Sequence, residues 1–424
     1  MTVTDTRATA PWTSLQAAPE GRISARIAER LFRSAVSRLH VTVRLEHTDR
    51  PAEVLGLGGP AVVVHRPDEL FARIGRDKLI GFGESYMTGA WSEDGQLGDG
   101  TLGDFLTVLA ADVARLVPPA LQRLRAFVTP RLPRSHRGTR ENTQANVAHH
   151  YDLSNDLFAA FLDPTLSYSA ALFEDLESAL TEDFAAAQHR KIDRLLDQAG
   201  VGAGTRLLEI GTGWGELAIR AAARGAEVRS ITLSVEQQQL ARERIAAAGH
   251  ADRVVVDLCD YRALLDEPAG RYDAVVSVEM IEAVGWEFWP TYFRTLDHVL
   301  APGGTVAIQA ITMPHDRMLA TRSTHTFITK YIFPGGALPS VRAIRETVEE
   351  HTTLRIVDEL AFGAHYAPTL QRWDRAFLGA RERVAALGFD ETFVRMWHFY
   401  LEYCRGGFAA GYIDDHQLTF TREA

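Results

Sequence analysis

Residues Leu207 to Leu217 read Leu-Leu-Glu-Ile-Gly-Thr-Gly-Trp-Gly-Glu-Leu, and this run restricts the fold more than any other. A short apolar stretch reaches an acid, Glu209. Three glycines follow at alternate positions, Gly211, Gly213 and Gly215, and then an Ala-rich helical stretch. That order is a buried strand, a glycine turn and a helix N-terminus. Glycine lets a ligand approach the backbone, because no Cβ stands in the way. Strand–turn–helix units of this kind serve both nicotinamide dinucleotides and S-adenosylmethionine.

The alternation continues downstream. Strands over 205–210, 227–233, 253–257, 273–278 and 304–311 are interleaved with helices over 216–224, 235–248 and about 288–300. Strands separated by helical patterns predict a parallel, doubly wound α/β sheet. A helix over 184–199 precedes it. An interrupted helical insert (315–350), a strand near 354–360 and helices to about 411 follow. Upstream, residues 1–20 read as disordered. Residues 21–40 carry Ile23, Ile27, Leu31, Ala35 and Val36 at helical spacing, with arginines at 22, 26, 30, 33 and 38. This basic amphipathic helix docks either on its own domain or on a membrane surface. Short strands at 41–45 and 61–65 come next, then a turn-rich aromatic segment at 81–91. A helix over 101–117, a second over 120–128 and a linker at Pro130 and Pro133 complete this part. The expected division is therefore a disordered 1–20, an N-terminal domain with basic linker over 21–140, and a catalytic domain over 141–424.

The net charge of −10 hides an asymmetry. Residues 1–140 hold 19 Lys+Arg against 15 Asp+Glu; the remainder holds 26 against 40. Arg115 to Arg140 contains seven arginines and no acid. Such an arm suits anionic lipid head groups or nucleic acid, or is a solvated linker. The acidic body and the lack of a base-reading motif speak against nucleic acid. Two cysteines, Cys259 and Cys404, give no disulfide framework and fit a reducing cytosol. The N-terminus lacks the long apolar core of a signal peptide. No stretch approaches the ~20 apolar residues of a membrane span, so the expected location is cytoplasmic, peripheral at the inner membrane face. His149 and His150 have no partners at metal-ligand spacing, and no metal is expected.

Three details favour S-adenosylmethionine over a dinucleotide. The glycine unit follows a long N-terminal region, so it opens a second domain. Glu209 stands just before the turn, where a carboxylate can meet the ammonium of a methionyl group. Dinucleotide sites instead aim the helix N-terminus at a pyrophosphate. The second strand ends Ile231-Thr-Leu-Ser-Val-Glu-Gln237, and the third is followed by Cys259-Asp260-Tyr261, where an acid suits an adenine amine. Each glycine also has the plainer reading of a tight turn.

With its distant motifs included, the chain resembles the cyclopropane-fatty-acid synthase family of S-adenosylmethionine methyltransferases over about residues 60–420. The resemblance is carried by Asn146-x-x-x-His150-Tyr-Asp-Leu-Ser-Asn155, Leu166-Ser-Tyr-Ser169, Glu209-Ile-Gly-Thr-Gly-Trp-Gly215 and Thr232-Leu-Ser-x-x-Gln237. Val278-x-Met-x-Glu-x-Val-Gly285, Lys330-Tyr-Ile-Phe-Pro-Gly335, Leu338-Pro-Ser340 and Phe362-Gly-x-x-Tyr366 extend it in the family's order. It implies a Rossmann-like class I methyltransferase fold with a mostly parallel seven-stranded sheet, plus a smaller α+β N-terminal domain. It implies methyl transfer to a cis double bond of a fatty acyl chain on a membrane phospholipid, and a homodimer. Tyr168, Ser169, the 207–215 loop and Thr232 to Gln237 would hold the cofactor. A bicarbonate ion would act as base near Ala170, Glu282, Gln309, Ile311 and Tyr366. Cys404 matches a cysteine counted among the family's active-site residues, although its surroundings in sequence read as a buried apolar thiol.

An alkene attacking a methyl sulfonium leaves a carbocation on the acyl chain. That cation needs negative charge or π faces in a pocket without water, and a base. Phe327, Tyr331, Phe333, Trp373, Trp397, Phe399 and Tyr400 either line the acyl tunnel or form core. Proton loss from the new methyl closes a cyclopropane; a hydride shift before proton loss gives a methylene branch. Three departures bear on that choice. Ala170 replaces the family's cysteine, Gln309 its histidine, and Glu279 a position usually held by glycine. Glu279 is expected to replace the bicarbonate, unless it is an outward-pointing strand end. These departures resemble the actinobacterial enzymes that convert oleoyl phospholipid to a 10-methylene chain, which a separate reductase takes to 10-methylstearate. A cyclopropane product, a small-molecule methyltransferase and a lipid-binding subunit without catalysis are the competing readings.

Overall fold

The computed structural model describes residues 12, 15, 17–112, 133 and 154–422. Two sheets organise it. The smaller is built from β1 (Thr42–Leu45), β2 (Glu53–Leu55), β3 (Ala61–Val64) and β4 (Trp91–Glu93), in the order β2-β1-β3-β4. The larger holds β5 (Arg206–Ile210), β6 (Glu227–Thr232), β7 (Val254–Leu258), β8 (Tyr272–Val278), β9 (Leu300–Thr312), β10 (Leu354–Ala361) and β11 (Asp414–Arg422). Its order is β10-β11-β9-β8-β5-β6-β7. Strands β5 to β9 run parallel, and β11 lies antiparallel between β9 and β10. The central strands are near-continuous apolar runs because helices cover both faces.

The glycine run does what its order predicts. β5 ends at Ile210, and helix Glu216–Ala223 starts after Gly215. β5 pairs with β6 on one side and β8 on the other, so the strand order reverses between β5 and β8. The crevice outside such a switch point is where doubly wound sheets bind ligands.

The N-terminal unit is not a separate ball. Tyr86, Trp91 and Phe105 share one apolar cluster with Trp373, Trp397 and Phe399 of the C-terminal helices. Helix Glu391–Ala409 is buried on most of its circumference for that reason. Trp12 and Leu15 lie inside the stretch expected to be disordered, yet both are docked. Leu15 is buried and its carbonyl accepts from Arg73, while the Trp12 indole donates to Asp390.

Some expectations fail for identifiable reasons. Residues 81–91 read as turns because of Gly81 and Gly83. They form helix Leu79–Met87 and then β4. The glycines are packing sites: a Cβ on Gly81 would lie 2.0 Å from the Arg73 carbonyl, and one on Gly83 2.5 Å from the Phe327 ring. Helix Pro67–Asp77 and strands β2 and β11 were not expected. β11 reads Asp-Asp-His-Gln-Leu-Thr-Phe-Thr-Arg, too polar to suggest an interior strand. The helix expected over 101–117 is described as Thr101–Ala111. The arginine arm beyond Asp112, the helix over 120–128 and the histidines at 149 and 150 lie outside the described residues. Among the described residues no helix is long and apolar enough to cross a membrane.

Candidate active site

Strand β8 ends at Val278, and Glu279 follows with φ +49°, a conformation glycine adopts freely. A glutamate there costs about 1–2 kcal/mol of backbone strain, so the surroundings must hold it. They do. Its own N–H donates to the Gln309 carbonyl at 2.8 Å. Its carboxylate receives three donors: the Ala170 N–H at 3.0 Å and Gln309 Nε2 at 2.8 Å on Oε1, and the Tyr366 hydroxyl at 2.7 Å on Oε2. Burial raises the Glu279 carboxyl above its usual range, while Tyr366, Ala170, Lys191 and Gln309 pull it back. These donors come from three of the positions to which the family resemblance assigns a bicarbonate ion. Glu279 accepts all three.

Two further carboxyls stand beside it. Glu282 accepts the Ile311 N–H on Oε1 at 2.5 Å, and its buried Oε2 has no hydrogen-bond partner. Burial first, then the charge of Glu279, push it up to about 8. Asp415, from β11, accepts from Gln309 Nε2 at 2.8 Å and leaves a buried Oδ1 unpartnered. Burial, Glu279 and Glu282 raise it well above the ordinary carboxylate range. One ammonium faces the group. Lys191 is buried, donates to Ser169 Oγ at 2.5 Å, and is pushed down to about 8 by burial against the pull of Glu279, Asp415 and Asp163. Three carboxyls against one lysine make a chamber that favours positive charge.

An aromatic wall adjoins it. Tyr366 stacks on Phe408 at 4.4 Å between centroids and meets Trp373 edge-on at 6.1 Å. Trp373 lies 5.1 Å from Tyr168, whose hydroxyl is 2.7 Å from that of Tyr400. The Trp373 indole N–H is buried without an acceptor.

The glycine turn lies across the switch point. Met280, the neighbour of Glu279, packs on it: a Cβ on Gly211 would be 2.6 Å from Met280 Cγ. Gly213 has φ +51° and nothing within 4 Å of the space its Cβ would fill. Glu209 is 3% exposed, accepts only from Ser230 Oγ at 2.5 Å, and is raised to about 8 by burial. A buried carboxyl with one neutral donor beside an open glycine cradle fits the ammonium end of S-adenosylmethionine. Thr232 and Gln237 are bonded to each other at 3.0 Å at the end of β6.

Other expected residues stand differently. The Asp260 carboxylate, which suits an adenine amine, is engaged by the Arg262 backbone N–H and guanidinium at 2.9 Å. Tyr261 is a core residue whose hydroxyl is buried without a partner. Cys404 has its thiol pushed up to about 12 by burial, with no nearby charge to ionise it. Lys191, Asp415 and Gln417, whose Nε2 donates to Gln309 Oε1 at 3.3 Å and to the Lys191 carbonyl at 3.1 Å, are missing from the sequence reading. Lys191 left a signal, since it sits four residues from both Ala187 and Leu195 on the buried face of helix Phe184–Gln198. Asp415 left none, because its strand was not legible.

Known proteins resemble this chain in sequence and fold. The family described as mycolic acid cyclopropane synthetase matches residues 138–418. The chain is 54% identical over 419 residues to the tuberculostearic acid methyltransferase UfaA1 of Mycobacterium tuberculosis, covering 97% of this chain and 95% of that one. It is 34% identical over 365 residues to the cyclopropane-fatty-acyl-phospholipid synthase of Escherichia coli, covering 86% and 88%. Among solved structures, mycolic acid cyclopropane synthase CmaA1 complexed with SAH and CTAB superposes with a TM-score of 0.58 at 31% identity, over 65% of this chain and 97% of that one.

Proposed function

The chain belongs to the mycolic acid cyclopropane synthetase family, a family of S-adenosylmethionine-dependent methyltransferases acting on lipid acyl chains, and from that premise we propose a specific product and base. The enzyme methylates the cis double bond of an oleoyl phospholipid and leaves a 10-methylene branch, the precursor of a tuberculostearic chain, with Glu279 as the base. The observation that carries this reading is the convergence of the Ala170 N–H, Gln309 Nε2 and Tyr366 hydroxyl on the Glu279 carboxylate.

S-adenosylmethionine supplies an electrophilic methyl, which leaves the acyl chain carrying a carbocation. Glu209 and the turn at Gly211, Gly213 and Gly215 hold the donor, with Tyr168, Ser169, Thr232 and Gln237 completing its walls. Glu279, held by three donors, presents its carboxylate to the cation, Glu282 and Asp415 present carboxyl oxygens beside it, and Tyr366 and Trp373 present π faces. Glu279 then takes a proton from the new methyl. If a hydride first moves from the methyl-bearing carbon to its neighbour, the electron pair of the broken C–H bond forms the methylene double bond. Without that shift the same pair closes a cyclopropane. Tyr366 and Gln309 fix the carboxylate so that it meets the methyl after the shift. The product passes to a separate reductase, and the enzyme works as a peripheral homodimer at the membrane face.

The test is turnover in bicarbonate-free buffer, with fatty acids analysed by mass spectrometry. Wild type is expected to add one CH₂ as a methylene branch without added bicarbonate. Glu279→Gln loses at least about 100-fold and is not rescued. Glu279→Gly, which suits the φ at this position, regains activity when bicarbonate is added. A wild type that needs bicarbonate, with Glu279→Gln unaffected, sinks the reading.

A further inference from the structure

We propose that helix Arg22–Val36 seats this enzyme on an anionic lipid bilayer, lying in the interface with Ile23, Ile27 and Leu31 inserted among the lipids. The three side chains recur every fourth residue on one face and are 77%, 57% and 43% exposed. Arg22, Arg26 and Arg30 flank them, each one residue behind. All three arginines are exposed, and none forms an ion pair or hydrogen bond with a described residue. The sole acid on the helix, Glu29, is taken by Arg33 at 2.9 Å. The opposite face is already anchored. Ala28 and Val36 are buried, and Phe32 meets Phe71 edge-on at 5.6 Å. Folding has therefore used one side of this helix and left an aliphatic stripe edged with cations that no described residue pairs.

That pairing of surfaces selects the occupant. Apolar side chains gain by entering the acyl boundary, and guanidinium groups beside them gain from anionic head groups. A second copy meeting the helix across a twofold axis would set the same three arginines against each other. The position also suits lipid delivery. Just ahead of the helix, Trp12 lies 6.3 Å from the Tyr331 ring, and Tyr331 lies 5.1 Å from Phe327 in the aromatic insert. Trp12 thus joins the stretch ahead of the helix to the aromatic insert, whose Phe333 ring lies 6.1 Å from that of Tyr400.

The assignment rests on the acceptor being a membrane lipid, but binding is measured without turnover. Full-length protein is floated with vesicles of phosphatidylcholine, with or without phosphatidylglycerol. Wild type is expected to float with the phosphatidylglycerol vesicles and to release as salt rises. Ile23→Asp/Ile27→Asp, and separately Arg22→Gln/Arg26→Gln/Arg30→Gln, lower the bound fraction about tenfold or more. Both variants keep wild-type circular dichroism and wild-type turnover on detergent-dispersed oleoyl lipid, since every changed residue is exposed. Vesicle binding retained by both variants overturns the assignment. So does unchanged vesicle binding with a shift in sedimentation for Ile23→Asp/Ile27→Asp, which makes the stripe a contact between copies. A wild type that floats but fails on dispersed lipid leaves the docking intact and counts against the proposed reaction.

Discussion

Two of the buried clusters of charge among the described residues differ in kind. Where the N-terminal unit meets the C-terminal helices, His398 lies between Asp374 at 2.6 Å and Glu93 at 3.3 Å, and Glu93 also accepts the Tyr86 hydroxyl at 2.8 Å. Beside them Glu402 accepts from Arg405 and from the Gly103 N–H. Burial lowers the His398 imidazolium, but the two carboxylates more than reverse that and hold it up to about 10. At the strand ends, among the described residues, Lys191 is pulled by Glu279, Asp415 and Asp163, and Glu282 and Asp415 each keep one buried oxygen without a hydrogen-bond partner. The first cluster is satisfied and links distant segments; the second is short of positive charge. A folded protein keeps few unsatisfied buried groups, and two on neighbouring carboxyls set this cluster apart. The contrast separates a staple from the chamber proposed to hold the reacting cation.

The comparison breaks most visibly at the staple. Asp374→Ala leaves a buried imidazolium short of charge and is expected to destabilise the fold by about 3–5 kcal/mol, read by chemical denaturation. A loss below about 1 kcal/mol would show that the cluster holds nothing together. The same residue sharpens the contrast through pH. The His398 pKa is raised on folding, so its contribution is complete below the unfolded value of about 6.5 and is lost as pH rises towards about 10. Stability should decline across that window by up to about 1.4 kcal/mol per pH unit, and His398→Gln should flatten the slope.

The chamber is expected to lose stability with rising pH as well, over a lower window, but to respond to substitution in the opposite sense. Glu282 is raised to about 8, so its carboxylate weakens the fold as pH rises from the ordinary carboxylate range through 8. Glu282→Gln should leave the melting temperature at pH 8 unchanged or a few degrees higher, while turnover falls about tenfold or more. Equal losses of stability and turnover would make it a structural residue. The smallest effect is a proton. Glu209 is raised to about 8 in the free protein, and an ammonium beside it would lower that value. Titration calorimetry at pH 7 in buffers of different ionisation heat should detect release of up to about one proton on S-adenosylmethionine binding, and none from Glu209→Gln.

Legibility followed locality. The glycine turn was readable because strand, turn and helix are contiguous, and their residues state their own conformations. Glu279, Gln309 and Tyr366 were found because each sits in a motif whose order is preserved. Gly81 and Gly83 misled because glycine has two uses, turning a chain and admitting a close neighbour, and only packing distinguishes them. β11 was hidden because its polar residues Asp415, Gln417 and Thr419 are buried between β9 and β10. Asp415 and Gln417 went with it.

The sequence by itself determined the doubly wound fold, the cofactor class and the family. Those depend on hydrophobic period, glycine placement and motif order, all written along the chain. Only the tertiary structure decided that Glu279 takes the donors offered by residues 170, 309 and 366, and that Asp415 and Lys191 join it. Charge balance in a buried chamber is set by which distant side chains share a low-dielectric space, and that is a property of the folded packing.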